Sequence, residues 1–127
     1  MAGPIEATID TYIRAWGERD PARRAALVEA CFAEGGRMVG PSPEVNGRAA
    51  LVALMTRVHA GPPWRRIRLT TVVDVRAPAF RFGGVVEYED GTTGENFDSG
   101  VVDAEGKISL LMTFVDPLRA ASEPGGV

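Results

Sequence analysis

Hydrophobic residues recur at two different periods along the chain, and the first period is helical. From Ile5 to Trp16 the apolar positions fall three or four residues apart, which predicts a helix with one buried face. Asp20-Pro21 supplies an N-cap and a first-turn proline for a second helix, whose apolar positions run on to Phe32. After a short predicted strand at Arg37-Met38-Val39, a third helix carries apolar residues from Leu51 to Val58.

Beyond Trp64 the apolar residues alternate with polar ones, which is the period of a strand. Alternation from Ile67 to Val75 predicts one strand, and the next runs from Phe80 to Tyr88 with a bulge or bend at Gly83-Gly84. The last two strands form a hairpin over Asn96 to Asp116. Short turns link these four strands, so we expect antiparallel neighbours.

Helices followed by strands predict an α+β domain, in which a strongly bent antiparallel sheet wraps around three N-terminal helices. The bend leaves a closed space between sheet and helices, where a ligand would bind. We expect this domain to cover residues 1–118. Residues 119–127 lack an apolar period, and we expect them to form a disordered C-terminal tail.

Charge and composition exclude several classes of function. With 127 residues and a net charge of -3, the chain offers no broad basic surface for nucleic acid or an anionic membrane. No apolar run is long enough to span a bilayer, and one cysteine with no signal-peptide pattern favours a cytoplasmic protein. A single histidine and a single cysteine give no metal-ligand spacing, so we predict neither a metal nor another cofactor.

Asp98 is the strongest candidate for chemistry, because it lies in an otherwise apolar strand. Burial would raise the pKa of this carboxyl and make it a proton donor or acceptor near neutral pH. The alternative is a strand carboxylate that accepts local hydrogen bonds or faces solvent. Tyr12 is either a pocket hydroxyl or a core aromatic residue, and His59 is either a catalytic helper or a residue that binds free carbonyls at a helix end.

Several short segments together resemble the SnoaL-like branch of the nuclear-transport-factor-2-like superfamily, over about residues 5 to 118. They are Tyr12-Ile13-Arg14-Ala15-Trp16, Asp20-Pro21, Val45-Asn46-Gly47-Arg48, Arg68-Leu69-Thr70, Asp98, the run from Val102 to Ile108, and Phe114-Val115-Asp116. The resemblance implies a cone-shaped α+β barrel, a pocket between helices and sheet, and commonly a homodimer through the outer sheet face. Members include isomerases, polyketide cyclases, epoxide hydrolases, dehydratases and proteins with no known reaction, so the resemblance selects no single reaction.

Carried over by position, Tyr12 and Asp98 match the tyrosine and the protonated aspartic acid of the oxyanion hole in the ketosteroid isomerase relatives. Gly40 stands where those isomerases have their proton-shuttling aspartate, so steroid-type isomerisation is not implied. Thr113 stands where the epoxide-hydrolase relatives have one acid of their Asp-Arg-Asp set. The cyclase relatives, in which one acid-base residue suffices, remain the best match for Asp98.

We therefore expect a small enzyme that isomerises, cyclises or dehydrates an apolar small molecule in the cone, without a cofactor. Its predicted catalytic residues are Asp98, Tyr12 and His59. The residues predicted to contact the substrate are Trp16, Phe32, Met38, Trp64, Phe82, Val86, Leu111 and Thr113.

The alternative function is a non-catalytic homodimeric module that binds a ligand or a protein, which the missing acid at position 40 favours. Both functions include a homodimer. Leu110, Met112 and Phe114 share one apolar strand face, and three helices on the opposite face of the sheet cannot cover it.

Overall fold

Three helices and one sheet of seven strands make up the fold in the computed structural model, which describes residues 3–40, 44–61, 64–115 and 120–121. The elements are α1 (Pro4–Gly17), α2 (Pro21–Cys31), β1 (Phe32–Val39), β2 (Val45–Asn46), α3 (Arg48–Ala60), β3 (Trp64–Leu69), β4 (Asp74–Arg76), β5 (Ala79–Tyr88), β6 (Thr93–Val102) and β7 (Ile108–Phe114). The predicted tail lies outside the described residues, apart from 120 and 121.

The three predicted helices are present, and the departure from the predicted pattern is at the end of α2. The Asp20 carboxylate caps α2 by accepting a hydrogen bond from the backbone N–H of Arg23 at 2.9 Å. The apolar pattern predicts that α2 continues through Phe32, but the helix ends at Cys31. Phe32 already has extended backbone and begins β1, which also contains Gly35-Gly36. None of the three helices is long and apolar enough to cross a membrane.

The strands are ordered β2-β1-β7-β6-β5-β3, and β4 also pairs with β5. The predicted α+β class is confirmed, but the sheet is mixed and curved without closing into a barrel. The last four predicted strands pair antiparallel, as expected, but β1 runs parallel to β7, so the sheet as a whole is not antiparallel. A helix precedes β1 and the rest of the chain separates it from β7, so no tight turn forces that pair to be antiparallel.

β5 pairs with β6 along one side and with both β3 and β4 along the other. Its register with β6 is continuous from Ala79 to Glu87, so the predicted bulge at Gly83-Gly84 is absent from this pair. The interruption lies instead in the neighbouring segment of the sheet, where the predicted strand from Ile67 to Val75 is divided into β3 and β4. At the split, Thr71 Oγ1 accepts a hydrogen bond from the backbone N–H of Gly83 at 2.8 Å.

The core lies between the helices and the inner face of the sheet, with α1 packed across it. Ile9 and Tyr12 of α1, Leu51 and Met55 of α3, and Leu111 of β7 are fully buried there. Gly100 of β6 allows β7 to approach closely, because a Cβ at this position would overlap the Leu110 carbonyl oxygen and lie 2.9 Å from Phe80 Cζ.

We predict that Gly100→Ala lowers the free energy of unfolding by about 3 kcal/mol, because backbone must move to admit the methyl group. Gly94→Ala is the matched control on the same strand, since a Cβ there would meet nothing within 4 Å. The control should change stability by less than about 1 kcal/mol. Urea unfolding followed by circular dichroism measures both, and equal effects would show that Gly100 is not needed for the close approach.

Candidate functional site

A cavity of about 320 Å³ lies between α1, α3 and the inner face of the curved sheet. Its wall is mainly apolar, and its polar side chains are a group on β6 and β7 together with two tyrosines. The lining residues are Tyr12, Trp16, Met38, Gly40, Val45, Leu54, Val58, Ile67, Val86, Tyr88, Asn96, Asp98, Thr113 and Val115. The cavity has the concave, mostly apolar character of a small-molecule site.

The strand period explains why the polar residues meet at one place. Asn96 and Asp98 are two residues apart on β6, so both side chains point to the inner face. Thr113 lies directly opposite Asp98 on the neighbouring strand β7. Phe97 and Phe114 alternate with these residues and point to the outer face, where they are exposed.

Asp98 is a buried carboxyl with hydrogen bonds on only one of its oxygens. Its Oδ1 accepts from Thr113 Oγ1 at 2.6 Å and from Asn96 Nδ2 at 3.2 Å. No residue in the described part of the chain hydrogen-bonds to Oδ2. Because Asp98 is only 5% exposed, burial raises its pKa from 3.8 to about 6, although the two hydrogen bonds act in the opposite direction.

Tyr12 presents a hydroxyl that stays protonated. Burial raises its pKa well above 10.0, and the nearby charge of Asp98 adds to that rise. The hydroxyl lies 4.0 Å from Met38 Sδ, which is a weak acceptor, so the O–H remains available to a better one. The ring packs edge-on against Trp16 with 6.4 Å between ring centroids, which fixes its direction.

His59 is not among the residues that line the cavity. It lies in the last turn of α3, where Nε2 donates to the backbone carbonyl of Trp16 at 2.7 Å. This is the helix-end role that the sequence left open. Arg24 is also buried and donates to the carbonyls of Glu18 and Arg19 at 3.0 and 3.1 Å, so α2 and α3 together hold the end of α1.

The structure divides the predicted substrate contacts into two groups. Trp16, Met38, Val86 and Thr113 line the cavity. Phe32, Phe82 and Leu111 are buried in the core and do not line it. Strand alternation placed Phe82 and Leu111 on a sheet face, and helical spacing placed Phe32 on a helix face. Neither period predicts where the packed core ends and the cavity begins. The side chain of Trp64 lies outside the described residues.

Asn96 is one of the cavity-lining residues that the sequence analysis missed. The others are Gly40, Val45, Leu54, Val58, Ile67, Tyr88 and Val115. The signal for Asn96 was present, because a residue two positions before a buried strand carboxylate shares its face. Gly40 also lines the cavity, and a Cβ there would lie only 2.7 Å from Thr113 Cγ2. An acid at position 40 therefore has no room unless Thr113 moves, which gives a steric account of the glycine.

The ionisable residues on the described wall are Asp98, Tyr12 and Tyr88, with no lysine, arginine or histidine. Asp98 consequently has no cationic partner among the ion pairs of the described residues. Within the same part of the chain, no three His, Cys, Asp or Glu side chains are grouped to hold a metal ion. The wall offers one carboxyl, two phenols, one indole and the neutral polar side chains of Asn96 and Thr113.

No family model and no curated protein sequence matches this chain. Solved structures do match it. A SnoaL-like family protein from Agrobacterium tumefaciens, assigned as an isomerase, has a TM-score of 0.82 and 27% identity over 90% of this chain and 98% of its own.

Two further solved structures have the same fold at lower identity. A protein from Sinorhizobium meliloti assigned as a polyketide cyclase has a TM-score of 0.69 and 12% identity, over 84% of this chain and 93% of its own. An epoxide hydrolase from M. tuberculosis has a TM-score of 0.68 and 11% identity, over 89% of this chain and 83% of its own. The predicted family resemblance is confirmed for the fold, and these identities carry no reaction with them.

The raised pKa of Asp98 predicts a specific dependence of stability on pH. The folded value of about 6 exceeds the unfolded value of 3.8, so between these values the folded state binds more protons. Relative to Asp98→Asn, we expect the wild type to gain about 2 to 3 kcal/mol of unfolding free energy as pH falls from about 7.5 to about 4.

Urea unfolding of both proteins at each pH measures this gain. The comparison between variants cancels the other carboxylates, whose contributions are common to both. Asp10→Asn, which removes an exposed carboxylate on α1, serves as the control for the loss of a carboxylate that is not buried. A difference between the wild type and Asp98→Asn that stays constant with pH would contradict the buried, proton-binding carboxyl.

Proposed function

We infer that this chain, whose fold is that of the SnoaL-like proteins of the nuclear-transport-factor-2-like superfamily, is an acid-base enzyme that acts on an uncharged apolar molecule without a cofactor. The reaction type is isomerisation, cyclisation or dehydration. The observation that carries the proposal is Asp98, a buried carboxyl on the wall of an apolar cavity with one oxygen free of hydrogen bonds from the described residues.

The charge of the cavity wall supports an uncharged substrate. Asp98 is the one acid on the described wall, and no basic side chain is there to pair with a carboxylate or phosphate. Burying such an anion beside Asp98 would be costly, because neither charge would have a partner. Trp16, Met38, Leu54 and Val86 offer apolar contact instead. A hydrocarbon skeleton with a carbonyl or hydroxyl group directed at Asp98 fits this distribution.

The proposed chemistry uses Asp98 and Tyr12 together. Asp98 Oδ2 takes a proton from the carbon next to a substrate carbonyl. The C–H electron pair forms a carbon–carbon double bond, and the π pair of the carbonyl moves to its oxygen to give an enolate. The Tyr12 O–H donates to that developing negative charge, a contribution of about 3 to 4 kcal/mol for one preorganised donor. If the substrate also has a β,γ carbon–carbon double bond, the enolate is conjugated with it, and return of the proton from Asp98 to the γ carbon completes an isomerisation. A pKa near 6 keeps both protonation states of Asp98 accessible near neutral pH.

The second candidate is a non-catalytic module that binds the same class of ligand. The observation that favours it is the lack of space for a side chain at Gly40. Asp98 is consequently the one carboxyl on the described wall. A single carboxyl can shuttle one proton or accept one hydrogen bond from a ligand. The two functions therefore differ in proton transfer rather than in binding.

We also propose that the chain forms a homodimer through the outer face of the sheet. The outer patch consists of Phe97, Leu110, Met112 and Phe114, and Phe114 is 62% exposed. Charges of both signs lie on the same sheet face, since Arg81 is opposite Ser99 in the β5–β6 register and Glu95 is two residues before Phe97 on β6. A mixed-charge border around an apolar centre suits a two-fold interface, in which each surface meets its own copy.

The catalytic proposal predicts exchange of substrate hydrogens with solvent. In deuterium oxide, we expect the protein to accelerate deuterium incorporation next to the carbonyl of an apolar ketone such as α-tetralone, followed by proton NMR. Asp98→Asn should slow this reaction by at least about 100-fold because the proton acceptor is lost. Tyr12→Phe should slow it by about 100-fold because the enolate loses its donor. Asp10→Asn, at an exposed position on α1 that does not line the cavity, should leave the rate unchanged.

The same experiment separates the two functions. Saturable binding of the ketone with no acceleration of exchange by the wild-type protein would establish the binding module. Exchange that proceeds equally in Asp98→Asn would show that another group carries the proton.

The dimer proposal predicts a particle of twice the 13.5 kDa chain mass by light scattering at micromolar concentration. Phe114→Asp should give a folded monomer, because a charge would be buried at the centre of the interface. Val72→Asp alters another exposed apolar side chain outside the outer patch and should leave the dimer intact. A monomeric wild-type protein would rule this interface out.

A further inference from the structure

We propose that Asn96 and Thr113 are positioning residues that together occupy Oδ1 of Asp98 and so leave Oδ2 as the oxygen that meets the ligand. The proposal rests on the acid-base function inferred for Asp98. It adds a role for Asn96, which neither the sequence pattern nor the fold assigns.

The two donors reach the same carboxyl oxygen from different directions. Asn96 reaches it along β6, and Thr113 reaches it across the ladder from β7, in direct register with Asp98. A carboxyl group turns freely about the bond that joins it to Cβ unless its oxygens are held. Two donors on one oxygen fix that rotation and direct the proton of the neutral acid to the other oxygen, Oδ2.

The amide nitrogen of Asn96 donates to Asp98, but its amide oxygen accepts no hydrogen bond from the described residues. The residue is only 4% exposed, and its Oδ1 has no hydrogen-bond partner in the described structure. An unsatisfied buried acceptor is destabilising, and such groups are rare outside functional sites. The opposite amide orientation would direct Oδ1 at the carboxylate of Asp98, where the two oxygens would repel each other. The donor Nδ2 therefore explains why an asparagine occupies a largely apolar wall.

The absence of a side chain at Gly84 leaves the space that the Asn96 amide occupies. Gly84 lies opposite Asn96 in the register of β5 and β6, and a Cβ at position 84 would lie 2.9 Å from Asn96 Oδ1. Gly83 is next in sequence, but its Cβ would point to the other face, 3.2 Å from Thr71 Cγ2 and clear of Asn96. The two glycines therefore differ in the one contact that matters here.

Few other charges act on Asp98. The other ionisable side chains on the described wall are Tyr12 from α1 and Tyr88 from β5, and α3, β1 and β7 contribute none. Tyr12 is uncharged throughout the range in which Asp98 titrates, because its pKa lies well above 10.0. The pKa of Asp98 is thus governed by burial and by its two donors, whose loss raises it.

The test is a carbon-13 NMR titration of the Asp98 carboxyl in the ligand-free protein, with variants that remove each donor. Asn96→Val and Thr113→Val should each raise the pKa of Asp98 above its wild-type value. Thr113→Ser keeps the hydroxyl and should leave the pKa of Asp98 at its wild-type value. Gly84→Ala should raise it as well, by displacing the amide, whereas Gly83→Ala should not. In the variants that raise the pKa of Asp98, the rise of the ketone-exchange rate with pH should move to higher pH by the same amount.

A structural role alone would change stability without moving this titration. Because Asn96→Val removes an unsatisfied acceptor, we expect its urea midpoint to equal or exceed that of the wild type. An unchanged pKa of Asp98 in folded Asn96→Val and Thr113→Val would overturn the proposal, as would equal effects of the two glycine variants. If these values shift but no ketone exchange occurs, the acid-base function fails while the positioning of Asp98 stands.

Discussion

The alternation of side chains along β6 is the constraint on which both faces of this protein depend. Asn96, Asp98 and Gly100 point inward, while Phe97, Ser99 and Val101 point outward. A slip of one residue in register would exchange the two sets and place a carboxyl outside and an exposed phenylalanine inside. The close approach of β6 and β7 at Gly100 opposes such a slip, because a larger residue does not fit there. The geometry of the candidate site is therefore set by the packing of the sheet.

The burial of Asp98 lowers the stability of the fold when its carboxyl is ionised. A buried carboxylate without a cationic partner destabilises the fold, and two hydrogen bonds to one oxygen offset only part of that cost. The buried acceptor of Asn96 adds to the cost. Perturbed carboxyls and unsatisfied polar groups concentrate where binding or proton transfer takes place. Their combination in one apolar cavity is the physical basis of the proposed enzyme.

The sequence predicts most of the fold because its signals are local. The cap at Asp20, the apolar face of α1 and the alternation in β6 each depend on neighbours within a few residues. The parallel pairing of β1 with β7 joins distant parts of the chain and has no local signal. Alternation likewise identified Asp98 and placed Leu111 on the face of Thr113, but the depth at which core gives way to cavity depends on how all elements pack. Alternation puts Asn96 on the same face as Asp98, but the hydrogen bond between them depends on how β6 packs against β5 and β7, which the sequence does not show.

The measurement that tests the central claim most directly is the pKa of the Asp98 carboxyl in the folded wild-type protein, by carbon-13 NMR titration with Asp98→Asn to assign the signal. The account predicts a value of about 6, set by burial and moderated by the two donors. A value at or below the ordinary 3.8 would contradict it, because a solvated or ion-paired carboxylate is not the proton-exchanging group described above.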